Sequence, residues 1–273
     1  MSYEEVLGQQ VIAISISESP DMPALGLSDG HLRDAMAEIA RHLLALGARL
    51  VYGGDLRQHG FSELLFELVS RHRRDSAEND CHADVMNFLA WPVHILQSAP
   101  SLESTVDDLE GSAEFVCLQL DGTRLPLVER LKLAQQQPTE AEWSDGLTAM
   151  RRTMLAVSDA RIVLGGRVDK YKGSMPGIAE EALMSLQGGQ PLYLMGGFGG
   201  CTRDITETIG LVQPWATSHA AWQGRAEFER FSAAALNNGL SVEENQMLAM
   251  TPHVDQAVML ILRGLMRVAR PTD

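Results

Sequence analysis

Ser158-Asp159-Ala160-Arg161-Ile162-Val163-Leu164-Gly165-Gly166, followed by Met175-Pro176-Gly177-Ile178-Ala179-Glu180-Glu181, decides how this chain folds. Arg161 to Leu164 reads as a buried strand that stops at a glycine pair. Pro176 and Gly177 then lead into a helix over Ile178 to Leu186, whose first N–H groups can hold an anion. Strand, glycine turn and helix in this order form the βα unit of a parallel sheet. Glu180 and Glu181 in the first turn suit the positive end of the helix dipole, so a capping role competes with a functional one. They point about 100° apart, so at most one faces a ligand cleft.

The same pattern extends to both sides. Val11 to Ile16 reads as a strand, and a long loop with Pro20, Pro23, Gly26 and Gly30 follows it. Leu32 to Leu46 has helical apolar spacing and meets a stop at Gly47. Arg49 to Tyr52 is a second strand, ending in Gly53-Gly54, and Phe61 to Val69 is the next helix. Residues 71–90 read as charged and irregular. Pro92 to Gln97 and Phe115 to Leu120 are expected as strands, with an acidic loop and short helix over Ser98 to Ala113. Glu140 to Val157 is a long helix led by Pro138 and Thr139. Leu192 to Met195 is a strand ending in Gly196-Gly197. Thr202 to Ile209, Ala226 to Asn237, Val242 to Met250 and Val254 to Arg267 are expected as helices. The expected fold is α/β: a Rossmann-like parallel sheet flanked by helices, with a helical C-terminal section. One domain is expected over 1–273, its core at about 10–210 and its helical extension at 211–273.

Composition narrows the function classes. The 273 residues carry 22 Lys+Arg against 36 Asp+Glu, a formal charge of −14. Nucleic-acid binding needs a basic face, so a nucleic-acid partner is not expected. No run approaches the roughly 18 apolar residues of a membrane span, and no membrane partner is expected. The start, Met1-Ser2-Tyr3-Glu4-Glu5, lacks the features of a signal peptide. Cys81, Cys117 and Cys201 are far apart and lack metal-ligand spacing. A cytoplasmic protein without metal or cofactor is the expectation.

Three strand ends carry glycine pairs: Gly53-Gly54, Gly165-Gly166 and Gly196-Gly197. In an open α/β sheet, ligands bind beyond the carboxyl ends of the strands, where glycine lets backbone N–H groups approach an anion. Ser15 and Ser17 share one side of the first strand by the period-two rule. They suit phosphate or ribose contacts, or they simply cover the strand end. Arg57, just past Gly53-Gly54-Asp55, is placed to pair with a phosphate or carboxylate. Arg151 or Arg152 of the long helix is placed to look into the same cleft. The sequence has no GxxxxGK[ST], no GxSxG and no HExxH, which removes P-loop, α/β-hydrolase and zincin readings.

The block Met150-Arg151-Arg152-Thr153-Met154, Ser158 to Gly166, then Pro176-Gly177 through Glu181 resembles the SLOG superfamily. That Rossmann-like group contains the lonely-guy phosphoribohydrolases and related nucleotide-sensing domains. The hydrolases carry a pattern like RKxxM…AD…PGGxGTxxE. Matched onto it, Gly165, Gly166 and Gly177 fall on motif glycines, Arg151 on the lysine and Glu181 on the catalytic glutamate. Arg167 to Pro176 is an insertion that splits the motif. Met150 stands where the hydrolases place an arginine, which argues against phosphoribohydrolase activity. Tyr52-Gly53-Gly54-Asp55-Leu56-Arg57…Gly60-Phe61 resembles the prokaryotic SLOG branches found beside TIR domains.

The resemblance implies a sensor or signalling domain that binds an ADP-ribose-like nucleotide derivative. The implied ligand set is Ser15, Ser17, Gly53, Gly54, Asp55, Arg57, Arg151, Gly165, Gly166, Gly177, Glu180, Glu181 and Gly197. Two alternatives stand beside it. One is an N-glycosidase or phosphoribohydrolase in which Glu181 is catalytic, stabilising an oxocarbenium-like centre or activating water. The other is a regulatory subunit whose ligand controls assembly. Val254, Val258, Met259, Ile261, Leu262, Leu265 and Met266 form a broad apolar stretch, which suits either a buried terminal helix or an interface between copies, and the resemblance implies a homo-oligomer.

Overall fold

The computed structural model describes residues 6–54, 60–75, 85–108, 113–214 and 221–269. In chain order the elements are β1 (Val11–Ser17), α1 (Asp29–Ala45), β2 (Arg49–Gly53), α2 (Phe61–Asp75), β3 (Val85–Leu89), α3 (Trp91–His94) and α4 (Ala99–Asp108). There follow β4 (Ala113–Cys117), α5 (Leu127–Arg130), α6 (Glu140–Val157), β5 (Ala160–Gly165), α7 (Gly177–Gln187) and β6 (Leu192–Met195). The chain ends with α8 (Gly200–Thr208), α9 (Val242–Met250) and α10 (Val254–Ala269).

Among the described residues the strands form one parallel sheet in the order β4-β3-β2-β1-β5-β6. The strand order reverses between β1 and β5, the place where a doubly wound sheet opens a crevice beyond its carboxyl ends. β1 and β5 run side by side from Ile12↔Ala160 to Ser17↔Gly165, which sets Ser15 opposite Val163.

Both faces of the sheet are covered, so its strands read as continuous apolar runs, and alternation sorts their side chains between two cores. Ile12, Ile14, Ile16, Leu50, Ile162 and Leu164 meet Leu32, Met36, Ile39 and Leu43 of α1, Leu65 and Val69 of α2, and Ile261 and Leu265 of α10. On the other face Ala13, Val51, Met86 and Phe88 meet Met150 and Met154 of α6. Beyond them Val163, Leu192 and Leu194 meet Ile178, Ala182 and Leu186 of α7 and Ile205 of α8. Val258, Ile261 and Leu265 of the apolar stretch of α10 are buried in the first of these cores, Val254 and Leu262 pack against it half-buried, and Met259 stays exposed. Arg263 and Arg267 of α10 hold the Glu244 carboxyl of α9 down at about 2, which ties the last two helices together. Among the described residues no helix is long and apolar enough to cross a membrane.

Three sequence expectations need correction. Pro92 to Gln97 is no strand: Pro92 sits in the first turn of α3, because a residue without N–H suits a helix start and not a central ladder. The strand is instead β3, Val85–Leu89, hidden inside the stretch read as irregular. Ala226 to Asn237 forms short 3-10 turns over Arg225–Arg230 and Ala233–Leu236, not an α-helix. Its few apolar anchors, Phe228 and Leu236, are buried singly and not along a helical stripe.

A buried strap fixes the α3 region, which borders the crevice. Arg130 is fully buried and donates from Nε to His94 Nδ1 at 2.9 Å, and from Nη2 to the carbonyls of His94 at 2.5 Å and Gln97 at 2.7 Å. His94 is equally buried, and with Nδ1 accepting, its Nε2–H donates to the Leu118 carbonyl at 2.8 Å. Burial pushes the imidazole down to about 4, and the neighbouring Arg130 charge acts in the same direction. A pKa lower in the native than in the unfolded state makes stability complete above about pH 6.5. That stability is lost as pH falls through about 4. Urea unfolding from pH 7 to 4.5 should therefore show His94→Gln losing about 2–3 kcal/mol less than the parent. Parallel curves for the two proteins would remove His94 from the acid response.

Candidate functional site

A cavity of about 460 Å³ opens at the carboxyl ends of β1 and β2, beside the loop that follows β5. Its floor is the end of β1, from Ile14 to Ser17, with Tyr52, Gly53 and Gly54 at the end of β2. One wall is α6, presenting Trp143, Leu147, Met150 and Arg151. Val93, Leu96 and Gln97 close it on the α3 side, and Gly177, Ile178 and Glu181 bring the start of α7. The rim holds Glu18, Arg167, Lys170, Tyr171 and Lys172.

Under the floor lies a buried polar network that begins with Arg161. This side chain is 1% exposed, at the second position of β5. Its Nη1 donates to Glu181 Oε2 at 2.8 Å and to Ser15 Oγ at 2.7 Å, while its Nε donates to Ser185 Oγ at 3.1 Å. The Ser15 hydroxyl in turn donates to Glu181 Oε2. Ser185 continues the chain to Gln190 Oε1 at 2.7 Å. Burial, then Arg151, push the Arg161 guanidinium below its ordinary value, and Glu181 opposes them.

Arg151 joins the network from α6. Its Nη1 pairs with Glu180 Oε2, and Thr148 Oγ1 donates to Glu180 Oε1 at 2.6 Å. Its Nε lies 3.6 Å from Glu181 Oε1, within ion-pair reach, but makes no hydrogen bond. The guanidinium crosses the start of α7 at Gly177, where a Cβ would stand 2.5 Å from Arg151 Nη2. Glycine is required there by a cation that replaces the missing side chain. Glu180, Glu181, Arg151 and Arg161 together carry two negative and two positive formal charges.

The rim has a different balance. Arg167, Lys170 and Lys172 face one carboxylate, Glu18, which pairs with Arg167 at 2.9 Å. The Arg167 N–H donates to Ser17 Oγ at 3.3 Å. Lys172 Nζ sits 3.4 Å from the Trp143 ring centroid, a cation–π contact that joins the 167–176 loop to α6 across the mouth. Aromatic faces, cations and the first-turn N–H groups of α7, which a helix leaves without intrahelical partners, thus converge on one space.

The sequence-derived residues fall into four groups. Ser15, Ser17, Gly53, Gly54, Arg151, Gly177 and Glu181 line the cavity. Glu180, Gly165 and Gly166 lie just behind it: Glu180 holds Arg151, and the two glycines, at φ +66° and +105°, fold the end of β5 against Ser17 and Cys201. Gly197 does not join them; it packs on the Thr251–Pro252 backbone, and the adjoining α8 start is occupied by Asp21, which accepts from the Gly200 N–H at 2.7 Å. Asp55 and Arg57 lie outside the described residues.

Sequence reasoning missed Arg161, Trp143 and the basic loop. Arg161 had a signal, since a charge inside a strand buried on both faces demands a partner. Arg167, Lys170 and Lys172 stand together in an acidic chain, which was a second signal. Trp143 had none, because an aromatic residue at helical spacing is ordinary core.

The family model SLOG cluster2 matches residues 6–251 of the chain. No curated protein matches it.

The network makes a thermodynamic prediction. Arg161→Met should cost about 3–5 kcal/mol in urea unfolding, because it strips a buried carboxylate of its nearest cation. Adding Glu181→Gln to it should recover a good part of that loss, since both charges then go together. Purely additive losses would show that the two side chains act independently.

Proposed function

The chain belongs to the SLOG cluster2 family, and on that premise we propose that it binds an ADP-ribose-like nucleotide derivative as a sensor or signalling domain. Membership gives the coarser statement, a domain that binds or modifies nucleotide-type ligands. The finer reading is carried by one observation: a cavity of about 460 Å³ whose rim is cationic in a chain of formal charge −14. Phosphates go to Arg167, Lys170, Lys172 and the start of α7, by charge and by helix N–H groups. Trp143 and Tyr171 offer ring faces for a base.

The state of Glu181 favours binding over hydrolysis. Its Oε2 already accepts from Arg161 and Ser15, and Arg151 approaches its Oε1. With Oε2 engaged, only Oε1 is left to act on a substrate, and it lies beside the Arg151 cation. Met150, at the position where the hydrolases have an arginine, is 3% exposed and packs in the core of α6 against the sheet. The reading is therefore of a site built to hold its ligand.

The test is a melting experiment with chromatography of the supernatant. ADP-ribose should raise the melting temperature, by about 2.7 kcal/mol of added stability at a hundredfold excess over its dissociation constant. Arg167→Ala combined with Lys170→Ala should weaken it about tenfold or more, and no free adenine should accumulate. No shift with ADP-ribose or any adenine dinucleotide at millimolar concentration would overturn the reading. Base release that Glu181→Gln abolishes would put the glycosidase reading in its place.

A further inference from the structure

Beside Gly54, at the end of β2, three buried polar atoms have no hydrogen-bond partner among the described residues. Asn87, in the middle of β3, is fully buried, and Ser62, in the first turn of α2, is 3% exposed. Among the described residues, Asn87 Oδ1, Asn87 Nδ2 and Ser62 Oγ all lack a hydrogen-bond partner. Each such group costs roughly 1–3 kcal/mol, so native proteins seldom keep several side by side without a reason. Gly54 is the link to the cavity. It lines the cavity, and a Cβ on it would run into Asn87 Oδ1 and Ser62 Oγ. Gly54 thus borders both the ligand space and the orphaned groups, which do not themselves line the cavity.

The chemistry of the three atoms selects what would satisfy them. The amide nitrogen only donates, the amide oxygen only accepts, and the serine hydroxyl does either. A bare phosphate offers acceptors alone, and an apolar ring offers neither. Two adjacent hydroxyl groups offer both a donor and an acceptor to each neighbour. In a parallel sheet all strands present their carboxyl ends on one edge, so a nucleotide with its phosphates at β5 and α7 has its sugar within the span of β1 and β2.

We propose that Asn87 and Ser62, across Gly54, form a subsite for the ribose hydroxyls of the bound nucleotide and make the protein selective for ribonucleotides. This inference rests on the nucleotide reading above. The structural alternative is a local packing defect with no ligand role. The two differ in what an apolar replacement does. Substituting an unsatisfied buried polar group by an apolar one of similar shape leaves stability unchanged or raises it, whichever account holds. Only a ligand role makes the same change alter ligand discrimination.

The experiment is calorimetric titration of the full chain with ADP, 2′-deoxy-ADP and 3′-deoxy-ADP, on the parent, Asn87→Leu and Ser62→Ala. The parent should bind at least one deoxy compound tenfold or more weaker than ADP, since a site built to bond a hydroxyl rejects the analogue lacking it. Asn87→Leu should weaken ADP and bind the three compounds alike, while its ligand-free melting temperature does not fall. Ser62→Ala, the smaller change, should lose part of the discrimination and serves if Asn87→Leu does not fold. Equal binding of ADP and both deoxy compounds by the parent overturns the subsite and leaves the nucleotide reading standing. Discrimination that survives both substitutions overturns it too. Failure of ADP and ADP-ribose alike to bind the parent brings down the nucleotide reading, and the subsite with it.

Discussion

A guanidinium buried under a sheet covered on both faces, near the start of β5, is the constraint on which this structure turns. Removing Arg161 from water costs several kcal/mol unless a carboxylate and further acceptors meet it. Glu181 can do so only if α7 starts at Gly177 and lays its first turn over β5. Ser15 can do so only in the β1–β5 register that places it beside that carboxylate. The strand register, the start of α7 and the glycine that admits Arg151 are thus answers to one buried charge.

The same constraint shapes the ligand space. Because the two glutamates and two arginines beneath the cavity cancel, its floor offers shape and hydroxyls more than net charge. In the proposed reading the attraction for an anion comes from the rim, where Arg167, Lys170 and Lys172 outnumber Glu18 among the lining residues. The rim residues are exposed, and their field is subject to salt screening; the floor is buried and is not. A site divided in this way can keep its geometry while its affinity varies with ionic strength. The division also accounts for a glutamate in the hydrolase position whose Oε2 is already engaged by Arg161 and Ser15.

Much of the fold was legible because its signals are local. The Thr139–Glu142 capping box opens α6 where Pro138 and Thr139 suggested, and β6 and α9 coincide with their apolar runs. The misreadings have physical causes as well. Charges before Val85 and the polar Asn87 within it disguised β3, although all five of its residues are buried. Of the cavity lining, Gly53, Gly54, Gly177 and Glu181 could be picked out because motif spacing is a local property, whereas Gly197 packs elsewhere. Arg161, Trp143 and the orphaned Asn87–Ser62 pair could not, because what distinguishes them is who stands next to them in space. Arg161 lies on the strand whose reading decided the fold, and only the register with β1 and α7 reveals its role.

The central claim is that the Arg161–Glu181 network stays closed while a nucleotide binds above it, with phosphates at the basic rim. A crystal structure of the protein with ADP-ribose tests this most directly. The account predicts Glu181 still bonded to Arg161 and Ser15, and the diphosphate between Arg167, Lys170, Lys172 and the start of α7. A ligand on another face of the sheet, or Glu181 released from Arg161 and turned onto the ribosyl carbon, would contradict it.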